Sequence, residues 1–440
     1  MAWLDCIFSD ISISGCIIFK IKIFMRKSLL RKIKDAKKAP VLVLGMGPTA
    51  LAVIRDLGRR GIPVIGVDSY WWMIGFYSKY CNKLALLDPE KNENELFKVL
   101  LDYGEALERK SVLFAIDDNF IAFLSKYAHR LRSYYRFPLT AEDYERKFLN
   151  KRNFYQLCKQ RGISFPITYF PNSLEEVKDI SQKVPFPCII KPVYSHIWAK
   201  RFKVTKAIKI NSPKELLHTY KKISLSLSNT ELMIQEVIGG GDDRIYLCAI
   251  YLDSSGEPLS VFTGRTIRQY PPDFGTKCLA EGFKDNYIAK LSIEILRKIG
   301  FCGICGVEFK KDPKDGQLKI MEVNPRVVRW YGLTEACGVP VIYTAYKDLI
   351  GEKQPKWKSS KWVQKHKKWI SFWRDIASSL LYICRDQLSF RDWIGSLKGR
   401  KELMFGLDDI SLFLYFPFYV TFKTITSLIE RLKYKIFVES

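Results

Sequence analysis

The chain has 440 residues, 48% of them apolar, with 71 Lys and Arg against 46 Asp and Glu for a net charge of +25. At roughly 100–200 residues per domain, that length allows about two to four domains with a sizeable core, which excludes an intrinsically disordered chain. The sequence has no run of about 18 uninterrupted apolar residues, which excludes a polytopic membrane protein. The basic excess suits anionic partners, whether phosphates, nucleic acid or an anionic lipid surface.

Eleven Cys lie at irregular spacing, and four His are too few for a His-rich metal site. Cys302-Gly-Ile-Cys305 is the single CxxC and lacks a second pair at zinc-finger spacing. A reducing cytoplasm is the simplest compartment.

In chain order, residues 1–39 read as an apolar and then basic leader. Residues 20–40 hold nine Lys or Arg and one Asp, and Met25 is a candidate true start. Val41–Leu44 reads as a buried parallel strand, followed by Gly45-Met-Gly47-Pro48-Thr-Ala50, a helix over Leu51–Arg60 and a second strand, Pro63–Val67, ending at Asp68. This βαβ unit lets the backbone approach an anion at a helix N-terminus. Ser111–Ile116 adds a strand with Asp117 and Asp118 at its carboxyl end, where open α/β sheets bind ligands. A Rossmann-like domain over 40–138 follows, with Gly45, Gly47, Pro48, Asp117 and Asp118 as candidate substrate contacts.

Lys147–Gly162 reads as a helix, and Phe186–Pro192 as an apolar strand ending on Lys191. Leu232–Ile238 is a strand running into Gly239-Gly-Gly241-Asp242-Asp243. Gly306-Val-Glu308-Phe-Lys, the turn Asp312-Pro-Lys-Asp-Gly316, and Leu318–Arg326 form a hairpin. Alternation puts Glu322, Asn324 and Arg326 on one face, with Glu308 opposite. Two carboxylates and an amide oxygen are hard ligands suited to Mg²⁺, and an adjacent Arg suits a phosphate or acyl phosphate. The tail, 351–440, is rich in Lys, Trp and Phe. It holds the Pro-containing run Ile410–Phe422 and then an amphipathic helix over Lys423–Tyr434. Membrane contact and packing on the enzyme body are both open for it.

These parts, in this order, resemble the ATP-grasp superfamily of carboxylate ligases over about residues 40–350. Phe148–Cys158 and the Asp-Pro-Lys-Asp-Gly turn look most like the D-aspartate ligase branch. The tail, through Leu388–Trp393 and Asp408-Asp409, looks like that of ATP-grasp proteins linked to cell-envelope polysaccharide synthesis. The resemblance implies a Rossmann-like pre-ATP-grasp domain, an α+β ATP-grasp domain over 139–350 and a basic aromatic helical extension over 351–440. It implies ATP and two Mg²⁺ ions, with Mn²⁺ as a substitute. Lys151 and Lys191 would hold phosphates. Gln235, Glu236, Val237 and Ile238 would grip adenine, and Asp242 or Asp243 the ribose. Glu308, Glu322 and Asn324 would bind metal, and Arg326 with Arg265 or Arg268 would steady the acyl phosphate.

The activity so implied joins a small-molecule carboxylate to an amine in the cytoplasm, with no nucleic acid partner. The basic, aromatic termini allow peripheral contact with the inner membrane face, and a homodimer is a family-level expectation. One departure is the loop Val193–Lys203, which has no Gly, so that closure over phosphates would fall to Ser195, Lys200 or Arg201. Two further readings are a non-catalytic ATP-binding scaffold or sensor, and a nicotinamide enzyme using Gly45–Ala50. The latter leaves Glu308 and Glu322 unexplained.

Overall fold

Four consecutive apolar residues, Val41–Leu44, form β1, and all four are buried, as a central parallel strand covered on both faces requires. This computed structural model describes residues 36–85, 93–107, 109–138, 145–194, 207–225, 231–402 and 408–439. Residues 1–35 of the expected leader, with Met25, and Ser195, Lys200 and Arg201 of the loop lie outside the described residues. With β2 (Val64–Asp68), β3 (Cys81–Ala85), β4 (Ser111–Ala115) and β5 (Tyr135–Arg136), β1 makes a five-stranded parallel sheet ordered β3-β2-β1-β4-β5. The first helix, Ala50–Gly58, stops two residues before its expected end. A Cβ at Gly58 would lie 2.5 Å from the Tyr80 Cβ, so the helix end abuts the approach to β3.

A second, antiparallel sheet follows, built from β6 (Thr168–Tyr169), β7 (Cys188–Pro192), β8 (Ile208–Ile210) and β9 (Leu232–Glu236) in the order β6-β9-β7-β8. Helices Leu174–Ser181 and Pro213–Ser224 bury Val177, Ile180, Leu216, Tyr220 and Ile223 against it. Both helices begin at a Ser whose hydroxyl accepts from the backbone N–H of a Glu three residues on, so each start is written in the sequence.

The third sheet comprises β10 (Ile245–Leu252), β11 (Pro258–Tyr270), β12 (Thr276–Gly282), β13 (Gly303–Lys311), β14 (Leu318–Asn324), β15 (Lys368–Ile370) and β16 (Arg400–Glu402). Its order is β14-β13-β10-β11-β12-β15-β16. One face buries Cys248, Ile250, Val307 and Phe309 with helix Asn286–Lys298. The other buries Leu247, Ala249, Phe262 and Ile304 with Val327–Tyr331 and helix Val341–Leu349. Paired residues on adjacent strands point to the same face. Glu308, Leu247 and Gly264 therefore share the second face, and Phe309, Tyr246 and Arg265 the first.

The tail is not purely helical, because β15 and β16 extend the third sheet beyond β12. The Pro-containing run and the amphipathic segment are one helix, Ile410–Glu439, with Pro417 inside it. Leu412, Phe416 and Tyr419 pack on Leu51 and Ile74, and Tyr415 stacks on Tyr77. Asp409 accepts from Ser78 Oγ at 2.6 Å and Lys79 N at 2.8 Å, which ties the helix start to the parallel sheet. The chain is thus mixed α/β and α+β, with a Rossmann-like sheet first, two antiparallel sheets after it, and a basic aromatic, largely helical extension. Among the described residues, no helix is long and apolar enough to cross a membrane.

Candidate functional site

The β13–β14 hairpin places Glu308 directly across from Glu322, and Asn324 across from Gly306, with a bulge between Glu308 and Phe309. Alternation alone sets Glu308 on the opposite face from the buried Val307 and Phe309, which anchor the strand. Asn324 Nδ2 donates to Glu322 Oε1 at 2.8 Å, and its Oδ1 accepts from Arg326 Nη2 at 3.2 Å. Arg326 Nε donates to Asp118 Oδ1 at 2.7 Å, so the hairpin is joined to the carboxyl end of the parallel sheet. Burial opposes both charges, but the pairing prevails. Asp118 stays below the usual carboxylate range and Arg326 above its ordinary value. Lys151 faces Glu322 and Asp118 from the start of helix Lys151–Gln160, which Asn150 caps by accepting from Asn153 N at 3.1 Å. Burial lowers the Lys151 pKa, against the pull of those two acids.

The four-stranded sheet brings up the second Lys. Lys191, at the end of β7, donates to Gln235 Oε1 at 3.2 Å, and Gln235 Nε2 donates to Thr168 Oγ1 at 2.8 Å. The Glu236 side chain turns away from the cleft. It accepts from Ile167 N at 2.8 Å and Lys319 Nζ at 3.1 Å, and Lys319 also pairs with Asp312. Val237 N donates to Pro187 O at 3.2 Å, and Ile238 is buried beside it. A contribution of this hinge to a planar base therefore falls to its backbone.

On the parallel-sheet side, Gly45 has φ +90°, and a Cβ there would lie 2.9 Å from Asp117 Oδ2. Glycine is required both by that conformation and by the close approach. Asp117 caps helix Asp118–Leu131, accepting from Phe120 N at 3.1 Å, and burial pushes its carboxyl up to about 7. Gly47 has open space at its Cβ position, and Pro48 lies between it and the helix beginning at Ala50. Asp68 accepts from Met46 N at 2.6 Å and Tyr70 N at 3.0 Å. It braces the Gly loop, so the place where a dehydrogenase would hold a ribose hydroxyl is already taken.

Three expected roles are corrected. Arg265 pairs with Glu281 through Nε at 3.0 Å, and it lies on the face of the sheet opposite Glu308. Arg268 is 5% exposed and gives Nε and Nη2 to Asp375 at 2.8 and 3.0 Å, so it holds helix Phe372–Ile383 rather than an acyl phosphate. Asp242 accepts from Gln269 N and Nε2, both at 2.8 Å, and from the Tyr382 hydroxyl. That buried knot keeps it from a ribose, whereas Asp243 is exposed. The spacing also missed Lys277, whose ammonium pairs with Glu308. No local signal marks it, because the contact joins β12 to β13 across two intervening strands.

Among the described residues, no cluster of three His, Cys, Asp or Glu side chains is placed to hold a metal by itself. The opposed Glu308 and Glu322 with the Asn324 amide supply three hard oxygen donors on adjoining strands. That donor set fits Mg²⁺, provided a phosphate ligand completes the shell.

The carboxyl end of the parallel sheet thus meets a Glu-paired antiparallel hairpin, with a Lys-bearing small sheet alongside. The family model described as "Carbamoyl-phosphate synthase L chain, ATP binding domain" matches residues 279–356, which include Glu308, Glu322, Asn324 and Arg326. The D-aspartate ligase of Enterococcus faecium (strain Aus0004) is 23% identical over 225 residues, 50% of this chain and 53% of that protein. The carbamoyl phosphate synthase large chain of Xylella fastidiosa (strain 9a5c) is 29% identical over 212 residues, 46% of this chain and 19% of that protein. This chain therefore spans about half the length of the first relative and about a fifth of the second.

Among solved structures, a biotin carboxylase from Campylobacter jejuni superposes with TM-score 0.58 at 16% identity, covering 75% of this chain and 74% of that one. An L-amino acid ligase from Bacillus licheniformis gives 0.54 at 15%, covering 74% and 76%. The N5-carboxyaminoimidazole synthetase of Staphylococcus aureus, complexed with ADP, gives 0.55 at 14%, covering 72% and 78%. The chain carries an ATP-grasp domain and is homologous to D-aspartate ligase and to the carbamoyl phosphate synthase large chain.

Proposed function

We propose that this protein is an ATP- and Mg²⁺-dependent ligase that activates a carboxylate as an acyl phosphate and joins it to an amine. The observation that carries the proposal is the Glu308–Glu322–Asn324 set held beside Arg326 and Lys151. Lys151 and Lys191 would take the ATP phosphates, and the backbone of Gln235–Ile238 the adenine. Asp243 is the acid left for the ribose. Glu308, Glu322 and Asn324 would hold Mg²⁺, which when bound neutralises phosphate charge.

The chemistry is in-line phosphoryl transfer between two anions, so positioned positive charge matters most. Arg326 is oriented by Asp118 and Asn324, and its fork suits a carboxylate or acyl phosphate. The Gly45–Pro48 loop, Asp117 and Asp118 would line the acceptor side. We assign a pre-ATP-grasp domain to 40–138, the ATP-grasp domain to 139–350 and an extension to 351–440. The proposed setting is the cytoplasm, with small-molecule substrates, and the tail's likeness supports cell-envelope polysaccharide metabolism.

Thermal unfolding with Mg²⁺–ATP, Mg²⁺–AMP-PNP, NADH and no ligand tests the reading. A ligand at ~100 times its dissociation constant stabilises by ~2.7 kcal/mol. The expected result is a raised midpoint with the Mg²⁺ nucleotides alone. A response to NADH and none to ATP would overturn the ligase assignment.

A further inference from the structure

Single apolar side chains on a protein surface are ordinary, whereas a cluster of large ones marks a contact. Among the described residues, more than half of the exposed large hydrophobic side chains lie in residues 373–425 of the C-terminal extension. Helix phase orders them. In helix Ile410–Glu439, Leu412, Phe416 and Tyr419 pack on the parallel-sheet unit, and at ~100° per residue they share one side. Ile410, Leu414, Phe418 and Ile425 fall on the other side, within about 80° of one another. Ile410 and Leu414 are 67% and 74% exposed. The first part of this helix is therefore apolar on both faces, a pattern that calls for a covering beyond the body of the protein. Trp71, 59% exposed, extends the outer face from the segment after β2, with its ring 6.4 Å from that of Phe418.

Helix Phe372–Ile383 shows the same outward apolarity. It buries Asp375, which holds Arg268, and Ser378, whose hydroxyl donates to Gln269 O. Trp373, Leu380 and Leu381 are on its exposed side. Polar residues inward and large apolar residues outward reverse the usual order of a surface helix.

Charge selects the occupant. Residues 410–429 have no Asp or Glu, and 410–439 hold Lys423, Arg431, Lys433 and Lys435 against Glu430 and Glu439. The two acids just before the helix are engaged, Asp408 with Arg59 and Asp409 with Ser78 Oγ and Lys79 N. Lys79 and Lys83 are exposed on the neighbouring segment, and Lys83 Nζ lies 4.0 Å from the ring of Tyr77, on which Tyr415 stacks. A second copy seated on this face would bring like charges together in a chain of net charge +25, whereas anionic lipid headgroups would be attracted. Among the described residues no helix is long and apolar enough to cross a membrane, so a contact along the surface suits this one.

We propose that the C-terminal helix, with Trp71 beside it, docks this protein on an anionic lipid surface through Ile410, Leu414, Phe418 and Ile425. None of these residues belongs to the proposed nucleotide or metal groups, so docking and nucleotide binding are measured separately.

The test is flotation of the full chain with vesicles of phosphatidylcholine alone and of phosphatidylcholine mixed with phosphatidylglycerol. The mixed vesicles bind at least about tenfold more tightly, and added salt weakens them. Ile410→Ser/Leu414→Ser lowers that binding at least about tenfold, because two apolar side chains no longer leave water. Its unfolding midpoint and its affinity for Mg²⁺–AMP-PNP stay at wild-type values, since both side chains are exposed. Trp71→Ser, on a separate segment, also weakens vesicle binding and is read in place of the double variant if that protein does not fold.

No binding to the mixed vesicles, equal binding to both kinds, or undiminished binding in the folded variant overturns the docking face. A wild-type dimer in sedimentation that Ile410→Ser/Leu414→Ser dissolves, with no vesicle binding, assigns the face to a second copy and overturns it as well.

Discussion

Replacing Arg268 with Met should cost this protein about 3–5 kcal/mol of stability while leaving its nucleotide affinity intact. The side chains of Arg268 and Asp375 are 5% and 1% exposed and share two bonds, at 2.8 and 3.0 Å. Removing the guanidinium strands a buried carboxylate with Trp393 Nε1 at 3.0 Å and the Cys278 thiol at 3.8 Å among its partners. A buried ion pair broken on one side typically loses ~3–5 kcal/mol, whereas replacing both partners with apolar groups is often near neutral. Urea unfolding of wild type, Arg268→Met, Asp375→Leu and the double variant therefore forms a cycle. Both single variants should fall well below wild type, and the double variant should recover most of the loss. Calorimetry with Mg²⁺–AMP-PNP on the folded Arg268→Met protein should give a wild-type dissociation constant. An Arg268→Met protein of unchanged stability and weakened nucleotide binding would refute the structural role and return Arg268 to the active site.

Asp117→Asn should stabilise the protein at pH 8 and lose that advantage as the pH falls towards 4. Burial raises the folded pKa of Asp117 to about 7, so its ionisation penalty is absent below the unfolded pKa and complete above about 7. Asn remains a good helix cap, and urea unfolding should show a gain on the order of 1–3 kcal/mol at pH 8. The same gain at both pH values would contradict the titration. Asp409→Ala should destabilise by ~2–3 kcal/mol, because it strands Ser78 Oγ and Lys79 N beneath the C-terminal helix. Chemical unfolding measures that loss, and a change under ~0.5 kcal/mol would mean the tail is not anchored there. Lys191→Met should weaken Mg²⁺–AMP-PNP about tenfold or more with little effect on stability, as read by calorimetry and thermal unfolding. Unaltered affinity would remove Lys191 from the phosphate site.

The hairpin was legible because its evidence is local. Val307 and Phe309 alternate with Glu308, and Asp312–Gly316 writes the turn, so the hairpin and the face of Glu308 are local, whereas its pairing with Glu322 needs the bulge that skips Met321. The βαβ start was legible for the same reason, through a four-residue apolar run and a Gly that needs positive φ. The roles of Arg265 and Arg268 came from the resemblance, which does not report that Glu281 and Asp375 already hold their guanidinium groups. Local spacing cannot report a partner such as Asp375, 107 residues away. Asp242 failed likewise, since Gly-Gly-Gly-Asp-Asp reads as an open turn and the claim of Gln269 and Tyr382 on its carboxylate is tertiary. In the tail, Pro417 carries a local preference against the interior of the helix that contains it. The packing of Leu412, Phe416 and Tyr419 on Leu51 and Ile74 outweighs that local preference.

The most direct test of the central claim is calorimetric titration of AMP-PNP into wild type and Glu322→Gln, with Mg²⁺ and with EDTA. Gln keeps the shape of the side chain and removes the charge that would face a metal. The account predicts that Mg²⁺ tightens binding to wild type at least about tenfold and that Glu322→Gln loses most of that increment. An equal Mg²⁺ effect in both proteins would contradict the assignment of Glu308, Glu322 and Asn324 as the metal–nucleotide site.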